Sequence, residues 1–291
     1  MLHLYLETNI WNALSKQGVD AQALLNSLAR KNATPVISPH TVYELARTFT
    51  GKKPAPKAQG MKLFSCVKAF LDLDIPCSKE LMEFLGDEVA AYRQGDTTID
   101  PLLHGTDRAD ESQEVDKLAN GIVEDRVLQF IAQRTQHAKK SRAGQVDHFA
   151  YRQEVKKQLQ KVPESQLSEW LTLVATARAG GEALCSHLER MFAPAPTIDD
   201  ALALLRAPVA RAARALVRAD LYSNWRCANR NSNPLDLMDD MLHVLQATYS
   251  DVYVTAEKKQ SGYASLLLDH RTRVEIYDGR TPIDLWLEGI C

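Results

Sequence analysis

Three carboxylates and an imidazole occur close together near the end of the chain, on Asp236, Asp239, Asp240 and His243. The apolar residues around them recur at helical spacing. At about 100° per residue, the four polar side chains fall within about 100° of one another on a different face of that helix. Carboxylates on one face repel each other unless something compensates, and oxygen ligands suit Mg²⁺ or Mn²⁺. The stretch therefore indicates a divalent-cation site.

Ordinary helix chemistry explains part of this pattern. Asp236 follows Asn233 at the spacing of a capping box, and acids favour helix N-termini. A solvated acidic face is the general alternative. Asp240 and His243 lie in later turns, where capping does not account for them.

A further acid and an amide stand where the first predicted strand ends. Leu2, Leu4 and Leu6 alternate with more polar residues, and Glu7 and Asn9 follow at once. Sites in open α/β sheets gather outside the carboxyl ends of the strands. The alternative is an ordinary helix cap formed by Thr8 or Asn9.

Two more acids are predicted to reach the same edge of the sheet. Glu44 lies on a helix that Ser38 and Pro39 start after a short second strand. Glu257 comes two residues after Thr255, at the end of a third strand. Carboxylates converging there can hold the cations of two-metal phosphoryl chemistry.

These elements predict an α/β fold with a small parallel sheet of about four strands flanked by helices. Strand patterns are confined to residues 1–50 and 232–291, which we expect to form one domain. Residues 51–231 show successive helical patterns and no strand, so we predict a large all-helical insertion between the second and third strands. Within it, the acidic and turn-rich residues 96–116 are expected to be a loop.

The order and spacing of these pieces resemble the PIN-domain ribonucleases. The resemblance is carried by 5–9 (YLETN), 37–45 (ISPHTVYEL), 240–243 (DMLH) and 251–257 (DVYVTAE). It implies a PIN-like fold and a metal-dependent endoribonuclease that leaves 5′-phosphate and 3′-hydroxyl ends. Mg²⁺ or Mn²⁺ would be the cofactor and RNA the partner, in a toxin-like or RNA-processing role. Whether a neutralising protein partner exists is left open.

By the resemblance, the metal-binding and catalytic acids are Glu7, Glu44, Asp240 and Glu257. Asp239 is the chief rival of Asp240, because only the phase of the helix separates these neighbours. The residues expected to support the site are Asn9, Asp236, His243 and Thr255.

The first and fourth acids depart from the family pattern. Glu7 stands where the family overwhelmingly uses Asp, and Glu257 where Asp or Asn is commoner. One extra methylene moves each carboxylate outward by roughly 1 Å, and such a misplacement can be costly in catalysis. A catalytically silent PIN-like module that binds RNA or protein is therefore the alternative function. A DNA nuclease of the flap-endonuclease type is a third alternative, which shares the acidic site but usually needs more acids there than we can assign.

An arginine-rich helix immediately precedes the acidic helix. Arg211, Arg214 and Arg218 share one face, and Trp225 joins them if the helix continues. Guanidinium groups bind phosphate bidentately and an aromatic ring can stack on an unpaired base, so these residues are predicted to contact RNA. The alternative is a solvated helix face.

Bulk composition limits the classes of protein. The chain has a net charge of −2, with 45% hydrophobic and 25% charged residues, typical of a soluble globular protein. Its five cysteines form no C-x-x-C pair, which favours a reducing cytoplasm over a disulfide framework or a structural zinc site. No signal-peptide pattern or apolar stretch of about 18 residues is present, so no association with membranes is expected.

Overall fold

A parallel sheet is built from the two ends of the chain. The computed structural model describes residues 1–50, 55–129, 131–132, 153–189, 191–194, 196–230 and 241–291. Its strands are β1 Leu2–Leu6, β2 Ala33–Val36, β3 Cys77–Ser78, β4 Leu102–Leu103, β5 Val252–Thr255 and β6 Arg273–Ile276. The main sheet has the order β2-β1-β5-β6, and every neighbouring pair is parallel. The predicted α/β fold with a four-stranded parallel sheet is confirmed.

Helices make up most of the rest of the described chain. They are α1 Thr8–Gln17, α2 Ala21–Arg30, α3 Pro39–Ala46, α4 Pro56–Leu71, α5 Leu81–Gln94, α6 Ala109–Ala119, α7 Gln153–Leu159, α8 Leu167–Ala175, α9 Arg178–Leu188, α10 Ile198–Arg206, α11 Arg211–Arg230, α12 Lys258–Leu267 and α13 Ile283–Ile290. Residues 241–246 are helical as well. None of these described helices is long and apolar enough to cross a membrane.

The two faces of the sheet belong to two separate hydrophobic cores. Leu4, Leu6, Val252 and Val254 pack into one core with α1, α2 and α4. Tyr5 and Tyr253, which alternate with them, pack into the other core with α5 and α11. Side chains along a strand point alternately to opposite faces, and a parallel sheet is covered on both faces. The strand ends are therefore fixed from both sides.

Local capping sets the helix that follows β2. The side chain of Ser38 accepts a hydrogen bond of 3.1 Å from the backbone N–H of Thr41, and Pro39 occupies the first helical position. This is the start that Ser38 and Pro39 predict. It fixes the phase of α3 and hence the direction of Glu44.

Residues 51–231 are not all-helical, so that part of the prediction is wrong. β3 and β4 form an antiparallel pair. Cys77 of β3 also forms an isolated parallel β-bridge, through its backbone, with Ile37 beside the main sheet. Strands of two residues are too short to show a period-2 pattern. They are formed by contacts between segments distant in sequence.

The acidic residues 96–116 are structured, which corrects the expected loop. They contain β4 and most of α6. Buried Arg108 donates to the backbone oxygens of Leu71 and Ile75, at 2.9 and 2.6 Å. Glu114 is also buried and pairs with Arg126. Salt bridges and buried hydrogen bonds thus stabilise this segment, although its composition is typical of loops.

The buried carboxylate of Glu88, on α5, caps the N-terminus of α11. It accepts hydrogen bonds from the backbone N–H groups of Ala212 and Ala213, at 2.5 and 2.9 Å, and from the Tyr249 hydroxyl. Burial raises the pKa of Glu88 to about 7, although these three hydrogen bonds favour ionisation. Because Tyr249 lies shortly before β5 in the chain, the contact joins the helical region to the sheet.

Replacing Glu88 by Gln should remove a pH dependence of stability. The native state holds the carboxyl proton of Glu88 more tightly than the unfolded state does. The contribution of this proton to folding stability is therefore fully present below the unfolded pKa and is lost as the pH rises through about 7. The stability of Glu88→Gln relative to wild type should therefore increase between about pH 5 and 8, by up to about 3 kcal/mol. Urea unfolding of both proteins across this range measures the difference. A difference that stays flat with pH would contradict the assignment.

Candidate active site at the carboxyl edge of the sheet

Glu7 is a nearly buried carboxylate at the carboxyl end of the central strand β1, with 5% of its surface exposed. Its Oε2 atom accepts hydrogen bonds from the Thr255 hydroxyl, at 2.7 Å, and from the Asn9 side-chain amide. Burial raises the pKa of Glu7 to about 7, opposed by the nearby His243 and by the Thr255 hydrogen bond. The site thus contains a carboxyl group that is costly to ionise in the absence of a compensating positive charge.

Asn9 and Thr255 connect the ends of the two central strands. The Asn9 Oδ1 atom accepts a 2.9 Å hydrogen bond from the backbone N–H of Ala256, and Thr255 Oγ1 accepts one of 3.0 Å from that of Glu257. Both side chains also contact Glu7. Asn9 and Thr255 therefore position the carboxylate of Glu7 directly, and Thr255 also holds the backbone of Glu257.

Glu44 extends from α3 toward the same edge. Its Oε2 atom accepts a 2.7 Å hydrogen bond from the Thr8 hydroxyl and is also in direct contact with His243 Nε2. Burial acts to raise the pKa of Glu44, but the hydrogen bond and charge of His243, together with Thr8, outweigh burial and hold this pKa well below its usual range. Glu44 is therefore an ionised carboxylate at neutral pH.

His243 is almost fully buried and is hydrogen-bonded through both ring nitrogens. Its Nδ1 atom lies 3.1 Å from the Tyr5 hydroxyl, which is itself 2.8 Å from Ser38 Oγ and 3.3 Å from Thr41 Oγ1. This buried network fixes the imidazole ring relative to β1 and α3. The predicted support residue thus contacts Glu44 directly.

One cleft gathers three of the four predicted acids. Glu7, Glu44 and Glu257 line it together with Thr8, Asn9, Asn12, Leu45, Arg47 and Thr48. Arg47 contributes the positive charge in this lining, and its Nη1 atom is 3.4 Å from Glu44 Oε1. The predicted residues Asp236, Asp239 and Asp240 lie outside the described residues. Their place in the site stays a prediction.

Tyr5, Thr8 and His40 are site residues that the sequence reasoning did not assign. Tyr5 was part of a strand pattern and Thr8 a cap candidate, so neither carried a chemical signal. His40 did carry one, because it precedes Glu44 by one helical turn and so shares its face. The centres of the His40 and His243 rings are 4.5 Å apart.

On the predicted RNA-binding face of α11, Trp225 is buried, which does not fit the stacking role predicted for it. Trp225 is only 3% exposed, and its indole N–H donates to the backbone oxygen of Val162 at 2.9 Å. A buried ring that is hydrogen-bonded in this way cannot stack on a base.

The three arginines of this face bind other parts of the chain. Arg211 pairs with Asp269 at 3.0 Å, Arg214 donates to the backbone oxygen of Ala207 at 2.7 Å, and Arg218 donates to that of Leu267 at 3.4 Å. Burial lowers the pKa of both Arg214 and Arg218. The cluster forms because long side chains cover apolar surface while their charged ends reach acceptors on neighbouring elements.

No protein-family model, no curated protein and no solved structure matches this chain.

The Tyr5 hydroxyl should stabilise the site measurably. Tyr5→Phe leaves Ser38, Thr41 and His243 without a shared buried partner, so the free energy of unfolding should fall by about 1–3 kcal/mol. Tyr253→Phe is the matched control. Its ring stacks on Tyr5 at 5.9 Å, but its buried hydroxyl has no hydrogen-bond partner among the described residues.

Chemical denaturation of both variants tests this contrast. Tyr253→Phe should be neutral or slightly stabilising, because it removes an unsatisfied buried hydroxyl. Equal losses of stability in the two variants would mean that ring packing, and not the hydroxyl network, controls this region.

Proposed function

We propose that the chain is a metal-dependent endoribonuclease of PIN-like fold, with residues 1–50 and 232–291 forming the nuclease domain. One observation carries the proposal. Three carboxylates from separate elements, Glu7, Glu44 and Glu257, line a single cleft at the carboxyl edge of a parallel sheet. Sites of open α/β sheets occur at this edge.

The donor set fits Mg²⁺ or Mn²⁺. Both ions prefer oxygen ligands, and the cleft offers carboxylates from β1, α3 and the end of β5. Glu7 provides the clearest sign, since a carboxyl group buried with a pKa raised to about 7 gains most from a nearby cation. Asp240, or its neighbour Asp239, is the proposed fourth ligand.

The residues of the cleft have distinct roles in this proposal. Glu7, Glu44 and Glu257 would hold one or two cations, and Asn9 and Thr255 fix the orientation of Glu7 through hydrogen bonds. When bound, such cations would supply activation of a water molecule and stabilisation of charge on the phosphate. Arg47, with about half of its side chain exposed at the cleft, is placed to pair with a substrate phosphate.

RNA is the proposed substrate, on the strength of the acidic cleft, Arg47 and the PIN resemblance. The arginines of α11 bind other parts of the chain and are not used in this proposal. A cytoplasmic setting accords with the five free cysteines. A toxin-like or an RNA-processing role, and with the first a neutralising protein partner, are both compatible with this chemistry.

A catalytically silent module that binds RNA or protein is the second candidate. The specific observation in its favour is that Glu7 and Glu257 stand where the PIN family commonly has the shorter Asp. The extra methylene displaces each carboxylate, and Mg²⁺ demands near-ideal ligand geometry. A silent module would not cleave RNA.

Cleavage of a labelled single-stranded RNA in Mn²⁺ tests the nuclease proposal. Glu7→Gln keeps the shape of the side chain and removes its charge, so the cleavage rate should fall by about 100-fold or more. Glu169→Gln, a change at an exposed acid of α8, is the matched control and should cleave at the wild-type rate. The products should carry 5′-phosphate ends.

Two results would overturn the proposal. Full activity in Glu7→Gln would remove this acid from the mechanism. A wild-type protein that cleaves no RNA and shows no heat of Mn²⁺ binding in calorimetry would favour the silent module.

A further inference from the structure

Two imidazoles and one carboxylate meet beside the acidic cleft. One donor atom each from His40, Glu44 and His243 can be chosen so that all three lie within 4.8 Å of one another. Among the described residues this is the one group of three histidine, cysteine or acidic side chains that is close enough to hold an ion. Glu7 and Glu257 line the cleft but do not belong to this group.

The local structure explains why these donors converge. His40 and Glu44 are one turn apart on α3, so their side chains project from the same face. His243 comes from the helical residues 241–246, and its position is set by Tyr5 on the central strand. Three elements that are distant in sequence thus supply the cluster and its support.

The spacing suits a single metal ion. An ion with ligand bonds of about 2.1 Å separates its ligand atoms by roughly 3–4 Å. The donor atoms of the cluster lie within 4.8 Å of one another, so small side-chain shifts, which open the contact between His243 and Glu44, would admit an ion. His40 and His243 are 7% and 2% exposed, whereas the Glu44 side chain is 21% exposed. The two buried imidazoles would therefore hold the ion on its inner side, and the ion would be accessible from the cleft on the side of Glu44.

The surroundings of His243 resemble those of a metal ligand. Metal-binding histidines usually have their second ring nitrogen held by a hydrogen bond, which fixes the tautomer. Here the Tyr5 hydroxyl is 3.1 Å from Nδ1 and 2.8 Å from Ser38 Oγ, so it can accept from Nδ1–H while donating to Ser38. Nε2 is then the ring nitrogen that faces Glu44 and is available to bind an ion.

Glu44 is held in the same manner. Thr8 Oγ1 donates to its Oε2 atom at 2.7 Å, and Oε2 also contacts His243 Nε2. The oxygen atom that faces the imidazole is therefore fixed by its neighbours.

We propose that His40, Glu44 and His243 bind one transition-metal ion, of the class of Zn²⁺ or Co²⁺, through two imidazole nitrogens and a carboxylate oxygen. Imidazole ligands favour these ions, whereas Mg²⁺ prefers oxygen ligands alone. Three protein ligands leave a coordination position for water or a substrate oxygen. The site shares Glu44 with the proposed nuclease centre and so extends that function, but ion binding itself does not depend on RNA cleavage.

Titration with Co²⁺, followed by visible absorption, tests the proposal on the untagged, chelator-treated full chain. The wild type should bind one Co²⁺ in this cluster. His40→Gln and Glu44→Gln should each weaken binding by at least about 10-fold, because even loss of a residue that supports a ligand costs this much. Zn²⁺ calorimetry should show the same ranking, and Mg²⁺ should not compete effectively.

His187→Gln is the matched control. His187 Nε2 lies 2.5 Å from Asp220, so it forms a histidine–carboxylate pair, but among the described residues it does not belong to a group of three donors. This variant should bind Co²⁺ as the wild type does. Circular dichroism of every variant verifies the fold.

A measurement on the unmodified protein avoids dependence on the variants. Bound Co²⁺ is paramagnetic, so the imidazole proton resonances of His40 and His243 should shift strongly in NMR spectra of the wild type, and those of His187 should not. Unshifted resonances for His40 and His243, or wild-type affinity in a folded His40→Gln protein, would overturn the proposal. RNA cleavage in Mg²⁺ together with either result would leave the nuclease proposal standing. Co²⁺ binding in this cluster without any RNA cleavage would support the ion site and would count against the nuclease proposal.

Discussion

The cost of removing carboxylates from water is the constraint on which this structure depends. Ionising an isolated buried carboxylate costs several kcal/mol, and the chain places Glu7, Glu44 and Glu88 largely out of solvent. Each one is compensated differently. Glu88 accepts from a helix N-terminus, Glu44 contacts an imidazole and a hydroxyl, and Glu7 accepts from Thr255 and Asn9. Two of these three carboxyl groups line the cleft.

The sheet supplies the rigidity that such compensation needs. Alternate residues of β1 and β5 anchor two different cores, so the strand ends cannot shift without disturbing both. Tyr5 is central to this arrangement. Its ring packs into one core against Tyr253, while its hydroxyl holds His243 in line with Glu44. The same residue therefore couples packing to the geometry of the site.

The sequence predicted the features that depend on local pattern. The alternation of Leu2, Leu4 and Leu6 and the Ser38–Pro39 start each correspond to an element of the fold. The carboxyl ends of parallel strands must share an edge, and from this rule Glu7 and Glu257 were expected in one place. The structure places them in one cleft.

Features that depend on packing between distant segments could not be predicted. The pair β3–β4 has no period of its own, and the Glu88 cap links residues 124 positions apart in the chain. The arginine pattern of α11 was misleading for a related reason. A helical pattern shows which residues share a face but not what covers that face. Here Asp269 and backbone oxygens of neighbouring segments contact the arginines.

A crystal structure of the chain soaked in Mn²⁺, with anomalous diffraction recorded at the manganese edge, tests the central claim most directly. We predict an anomalous peak at the carboxyl edge of the sheet, within coordination distance of Glu44 and at least one other residue among Glu7, Glu257 and His243. A fully occupied peak elsewhere, with none at this edge, would contradict the account.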